Sequence, residues 1–146
     1  MKIPGTLTAA AAVLPVALPV AVWGLLGQDD YQGVPPSRLD YFVRPPELPP
    51  GLDTALGVLA LTAVVVSAVT LARATCHHAF DRRWWQVLSP LLAAGLLAGW
   101  GWRVLTAGTI GANIGAGVVL MAFGPVVAAL VLIAAGRGIW LARHSG

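Results

Sequence analysis

The feature that most constrains this chain is a set of long apolar runs separated by polar segments. Four such runs cover residues 3–27, 52–72, 89–105 and 113–138. A helix needs about 20 apolar residues to cross the hydrocarbon core of a bilayer, and each run approaches or exceeds that length. No acidic or basic side chain lies in the middle of any run. The sequence therefore predicts an all-α membrane protein, a bundle of four transmembrane helices in a single domain.

Composition supports the membrane class and argues against a nucleic-acid-binding protein. Hydrophobic residues make up 58% of the 146 residues and charged residues only 10%, whereas soluble domains carry roughly a quarter. The formal net charge of +3 comes from basic residues spread over the ends of the runs, with no continuous patch. The excess of arginine over lysine, with abundant Ala, Val, Leu and Gly, suggests a GC-rich bacterial genome.

The positions of the basic residues predict the orientation of the helices. The hairpin between the second and third runs, residues 73–88, contains Arg73, Arg82 and Arg83. Short basic loops stay on the cytoplasmic side. The hairpin and both chain termini are therefore expected inside, in a bacterial plasma membrane.

The segment between the first two runs, residues 28–51, is rich in proline. It contains three Pro-Pro pairs, at 35–36, 45–46 and 49–50. Proline restricts its own backbone and that of the preceding residue, so we predict an extended, semi-rigid extracytoplasmic loop that lies over the helix ends.

Local signals predict where helices begin and how the hairpin is anchored. Asp53 is a candidate N-cap for the second helix, and Ser89 followed by Pro90 is a typical start for the third. Asp81 is expected to cap a short interfacial helix over residues 81–88. The expected headgroup anchors are Arg82, Arg83, Trp84 and Trp85.

Small residues at helical spacing predict close contact between helices. Gly95 and Gly99 form a GxxxG pattern in the third run, which lets two backbones approach. A second line of mostly small residues follows the fourth helix at steps of three and four, and includes Gly117, Gly124 and Ala128. A larger membrane protein or a second copy of the chain can pack on such lines.

The hairpin also holds the weak candidates for metal binding, Cys76, His77 and His78. A zinc site needs three or four ligands around one ion, and adjacent histidines in one segment do not easily face one ion together. A lone thiol on the reducing side also lacks a resolving partner. We therefore expect no metal, no cofactor and no catalytic residue.

Arg103, near the outer end of the third run, has two interpretations. With Trp100 and Trp102 it would form an anion or headgroup site at the outer mouth of the bundle. Alternatively, it pairs with an acid of the first loop, such as Asp40 or Glu47, or extends to the headgroups. The second interpretation is favoured, because an arginine near a helix end reaches the interface readily.

The lack of charge inside the helices limits the possible functions. Ion- and proton-coupled carriers place ionisable groups at the middle of the membrane, and the runs have none there. The sequence therefore predicts a non-enzymatic accessory or assembly subunit of a larger membrane complex, or a homo-oligomer. The alternative is a small permease, pore or lipid-binding membrane protein.

Overall fold

The computed structural model describes residues 4–27, 33, 35, 39–108 and 112–144, and its long elements are helices. They are α1 (Gly5–Leu26), α2 (Leu52–Cys76), α3 (Trp85–Thr106) and α4 (Ala112–His144), with a 3-10 turn at Arg82–Trp84. Four helices are long and apolar enough to cross a membrane. The predicted all-helical architecture with four such helices is confirmed, although α2 and α4 extend beyond their expected ends at residues 72 and 138.

The helices form a row of neighbours in which α1 has a central position. Within the described residues, α1 packs extensively on both α2 and α3, and α4 packs mainly on α3. The order of neighbours is therefore α2, α1, α3, α4, which differs from a ring in which every helix has two neighbours. In the most apolar stretch of α4 only 6% of the residues are buried, against 33% for the corresponding stretch of α3. The fourth helix is thus the least enclosed.

The first two helices cross where two glycines meet. A Cβ atom added to Gly24 would lie 2.5 Å from the Gly57 Cα, and one added to Gly57 would lie 2.8 Å from the Gly24 Cα. The backbones can approach this closely because neither residue carries a side chain. Gly24 lies near the end of α1 and Gly57 near the start of α2, so the two helices are antiparallel.

Helices α1 and α3 run in the same direction and meet at positions four residues apart. A Cβ added to Gly95 would lie 3.2 Å from Pro19 Cδ and 3.6 Å from the Pro15 carbonyl oxygen, and one on Gly99 would lie 2.6 Å from the Pro19 carbonyl oxygen. Rows of residues at i and i+4 on both helices thus interlock. Proline lacks an N–H group, yet α1 remains one helix from Gly5 to Leu26. The two prolines therefore form part of a packing face.

The main apolar core lies at the end of the molecule that contains the α2–α3 connection, which we call the hairpin end. Its buried members come from α1, α2, the connection and α3, and are Leu7, Ala10, Leu14, Leu71, Phe80 and Leu88.

Helix α2 ends in a Schellman turn that has a histidine at the left-handed position. His78 has a φ angle of 56°. The Ala79 N–H donates to the Ala74 carbonyl at 2.8 Å, and the His78 N–H donates to the Thr75 carbonyl at 3.2 Å. Glycine is the usual residue at this position, because a Cβ atom makes the left-handed conformation unfavourable.

The third helix begins earlier than the sequence predicted. It starts at Trp85 and contains Pro90 in its interior, so the expected start at Ser89 is wrong. The Ser89 hydroxyl donates to the Trp85 carbonyl four residues earlier, which is a bond within a helix and not a cap. The expected capping role of Asp81 is confirmed, since its carboxylate accepts from the Arg83 N–H at 2.9 Å ahead of the 3-10 turn.

Helix α2 begins where the second apolar run begins, but its N-cap differs from the predicted one. The helix begins at Leu52, directly after Gly51, whose φ angle is 80°. Asp53 lies inside the first turn, and its Oδ1 accepts from the N–H of the neighbouring Thr54 at 2.8 Å. The Asp53 carboxylate is therefore not an N-cap, and its second oxygen faces α3.

Candidate functional site

At the end opposite the hairpin, a buried arginine connects three helices. Arg103 of α3 is only 8% exposed. Its Nε donates to the Trp23 carbonyl of α1, and its Nη2 lies 3.2 Å from Oδ2 of Asp53 on α2. The guanidinium carbon also lies 4.9 Å from the centroid of the Trp23 ring, within the range of a cation–π interaction. One side chain thus holds the ends of α1, α2 and α3 together.

The acid that pairs with Arg103 differs from the expected ones. It is Asp53, in the first turn of α2, and not Asp40 or Glu47 in the loop before it. The difference arises because α1 and α2 cross so closely that the first turn of α2 comes within reach of α3. Asp53 keeps 25% of its side chain exposed, so the ion pair lies at the edge of the helix packing.

The tryptophans near Arg103 are also arranged differently from expectation. Trp23 provides the aromatic face, whereas Trp100 packs against Phe123 of α4 with ring centroids 5.1 Å apart. Trp102 is exposed and borders a small apolar groove of about 210 Å³ between α1 and α3. A carboxylate, a carbonyl and an aromatic ring already engage the arginine, which favours a structural role for it.

Part of the proline-rich segment lies against the end of α3. The Val43 N–H donates to the Leu105 carbonyl at 3.1 Å. The Tyr41 ring lies so close to Gly108 that an added Cβ would come within 2.7 Å of it. These contacts cover the helix end next to Arg103. For residues 28–32, 34 and 36–38, the predicted loop lies outside the described residues.

A cleft of about 1430 Å³ lies at the hairpin end. Its walls come from the ends of α2 and α4, from the connection and from the start of α3. Basic and aromatic side chains line much of it, including His78, Arg82, Arg83, Trp85, Trp140 and His144.

The cleft brings together some of the candidate metal ligands. Cys76, His78 and His144 all line it, whereas His77 precedes the left-handed residue and is exposed. The described part of the chain contains no group of three His, Cys, Asp or Glu side chains placed to hold one ion. In addition, His144 Nδ1 lies 2.8 Å from the Trp140 carbonyl oxygen, and its ring stacks on the Trp140 ring.

The tryptophan pair that was predicted to anchor the hairpin also packs on the core of the hairpin end. Trp84 and Trp85 are both half-buried against the core of the hairpin end. Trp85 Nε1 donates to the Thr75 hydroxyl at 3.0 Å, and that hydroxyl donates to the Leu71 carbonyl at 2.7 Å. Trp85 therefore links the first residue of α3 to the last turn of α2.

We expect Trp85→Phe to lower the free energy of unfolding by about 1 kcal/mol, because it removes one hydrogen bond and keeps most of the packing. Trp84→Phe is the matched control, since Trp84 packs on the same core without the bond to Thr75. Unfolding in mixed micelles of increasing dodecyl sulfate content, followed by circular dichroism, measures both. Equal losses in the two variants would contradict a role for the hydrogen bond.

The predicted small residues fall into two groups. Gly95 and Gly99 lie against α1, as described above. By contrast, a Cβ added to Gly117 or Gly124 would have no atom within 4 Å outside its own helix, and Ala128 is exposed. These three small residues of α4 therefore face away from the other described helices.

Comparisons with known proteins add no relative, since no protein-family model, curated protein or solved structure matches this chain.

Proposed function

We propose that this chain is a non-enzymatic accessory or assembly subunit that binds a larger membrane protein, or a second copy of itself, through α4. The supporting observation is the contrast between its glycines. Gly24, Gly57, Gly95 and Gly99 each lie against the backbone or side chains of a neighbouring helix. The glycines in the middle of α4 have no such neighbour, although they have the spacing that serves close helix contact.

The α4 surface is a continuous face of one helix. We define it by the residues Gly117, Met121, Gly124, Ala128, Val131 and Ala135. With 3.6 residues per turn, this face lies about a quarter turn from Ala116 and Ala134, which are buried. Met121, one of its members, is 84% exposed. A helix that packed here would meet small side chains flanked by one flexible apolar group.

Close packing is the interaction that distinguishes a protein neighbour from lipid at such a surface. Lipid tails are as apolar as leucine, so the hydrophobic effect gives no preference for a second helix. Van der Waals contact between closely spaced backbones does give one. A partner helix with its own small residues is therefore the expected occupant of the α4 surface.

The test of this proposal compares two neighbouring alanines. Ala128 lies on the α4 surface, whereas Ala129 points about 100° away, and both are exposed. We expect Ala128→Leu to weaken association by about tenfold, through about 1.4 kcal/mol of overpacking, and Ala129→Leu to leave it unchanged. Affinity purification in mild detergent, followed by native mass spectrometry, measures the co-purified partner or the oligomer.

Two outcomes would contradict the accessory role. One is equal association of the Ala128→Leu and Ala129→Leu variants with the same partner. The other is a protein that is monomeric in mild detergent and moves a solute or lipid across liposomes unaided. The second outcome would support the permease alternative.

We also propose that the hairpin end faces the cytoplasm. Cys76 is the single cysteine of the chain and is exposed, so it reports on the side that the hairpin occupies. We expect a membrane-impermeant maleimide to leave Cys76 unlabelled in intact cells and to label it after permeabilisation. Variants with a single cysteine at Glu47, in place of Cys76, should show the reverse pattern. Labelling of Cys76 in intact cells would invert the proposed orientation.

A further inference from the structure

The cleft at the hairpin end combines exposed basic groups with an apolar wall. Arg82 and Arg83 are exposed side chains that line it, and neither makes an ion pair with another described residue. Asp81 is the acid that lines the cleft, and one of its carboxylate oxygens accepts from the Arg83 backbone N–H. Two guanidinium groups therefore remain available to an anion.

Part of the cleft lining belongs to α4 and includes apolar side chains. Trp140 and Leu141 line it, and Leu141 is buried. The His144 ring stacks on the Trp140 ring, and its Nδ1 lies within hydrogen-bonding distance of the Trp140 carbonyl oxygen. The other ring nitrogen, Nε2, is therefore the one that could contact a ligand. A molecule that fills the cleft would thus meet both the guanidinium groups of Arg82 and Arg83 and the aromatic ring of Trp140.

The position of the cleft indicates the kind of molecule that reaches it. It lies where helices long and apolar enough to cross a membrane end, which is the depth at which phospholipid headgroups lie. Basic pockets at the ends of membrane helices bind anionic headgroups, and arginine binds phosphate through paired N–H donors. Tryptophan is also favoured at this level of a bilayer.

We propose that this cleft binds an anionic phospholipid. Arg82 and Arg83 contact the phosphate, and the exposed ring of Trp140 contacts the first part of the acyl chains. This site is distinct from the α4 surface, because it lies at the end of that helix and includes the α2–α3 connection. A soluble phosphate ester shares the phosphate chemistry but would leave the apolar wall without a partner.

The experiment titrates the purified full-length chain in mild detergent with phosphatidylglycerol, with phosphatidylcholine and with glycerol 1-phosphate. Native mass spectrometry counts the bound molecules. A second measurement uses Cys76, which lines the same cleft, because an occupied cleft should slow its reaction with a maleimide. We expect phosphatidylglycerol to bind at least about tenfold more tightly than phosphatidylcholine and to protect Cys76.

The variants distinguish a defined binding site from a general attraction of anionic lipid to surface charge. Each arginine near an anionic headgroup contributes about fivefold, so Arg82→Gln with Arg83→Gln should weaken phosphatidylglycerol binding about thirtyfold. Arg73→Gln with Arg143→Gln is the matched control, because it removes the same charge from exposed arginines at the same end that do not line the cleft. This control should lose less than about fivefold.

Three results would overturn the proposal. The first is an equal loss of phosphatidylglycerol binding in the two double variants. The second is unchanged Cys76 labelling when phosphatidylglycerol is bound to the unmodified chain. The third is binding of glycerol 1-phosphate as tight as that of the lipid, which would assign the cleft to a soluble phosphate ester. The Cys76 measurement on the unmodified chain tests the proposal even if the arginine variants fold poorly.

Discussion

Gly57→Leu is expected to lower the free energy of unfolding by about 3 kcal/mol, at the upper end of the usual cost of overpacking. The added Cβ alone would lie 2.7 Å from the carbonyl carbon of Gly24. Backbone atoms cannot rotate away as a flexible side chain can, so α1 and α2 must separate. Separation would also weaken the contact between Asp53 and Arg103. Unfolding by dodecyl sulfate in mixed micelles, monitored by circular dichroism, measures the loss.

The matched control for this prediction is Gly136→Leu, at an α4 position outside the α4 surface defined above. It makes the same substitution inside a helix, but no atom outside α4 lies within 4 Å of the added Cβ. Leucine has a better helix propensity than glycine by roughly 0.8 kcal/mol, so the monomer should be as stable as before or slightly more so. Similar destabilisation by Gly57→Leu and Gly136→Leu would show that the crossing of α1 and α2 is not the close contact described here.

Arg103→Met is expected to cost about 3 kcal/mol, the lower end of the range for removing one member of a buried ion pair. The lower end applies because Asp53 is 25% exposed and can still be hydrated. The substitution keeps an apolar side chain of similar length. It also leaves the Trp23 carbonyl without the Nε donor that it has in the structure.

A double-mutant cycle separates the ion pair from the packing of the arginine. If Arg103 and Asp53 interact directly, Arg103→Met combined with Asp53→Asn should cost less than the sum of the single variants. Arg44→Met, in the exposed part of the preceding loop, removes the same charge and should change the stability by less than about 0.5 kcal/mol. Additive single effects would mean that Arg103 does not stabilise the protein through Asp53.

The helices could be predicted from the sequence because length and apolarity are local properties of each run. The first residues of the helices were harder to predict. Ser89 and Pro90 have the residue types that favour a helix start, but they lie inside α3. The decisive influence there is tertiary: the Trp85 bond to Thr75 and the packing of Trp84 extend the helix backwards. Such contacts do not appear in a local pattern.

The sites were harder to predict, because each combines residues from several helices. Gly95 and Gly99 were recognisable by their spacing in one run, whereas Gly24 and Gly57 form a pair only once α1 and α2 cross. Likewise, the sequence shows that Arg103 is a charged residue near a helix end, but the identity of its partners depends on that same crossing. The one available signal was that Asp53 is an acid at a helix end on the same predicted side of the membrane.

The order of neighbours in the row has a consequence for the synthesis of the chain. The contacts of Gly24, Gly57, Gly95 and Gly99, and the ion pair of Arg103, all lie among the first three helices. Membrane proteins and soluble ones alike are made from the N-terminus, so these contacts can form before α4 has been completed. The fourth helix then packs mainly on α3, and its buried residues include Ala116, Ala134 and Leu141. In this order the least enclosed of the four helices follows three that already pack together, and its exposed face stays available to the partner that we propose.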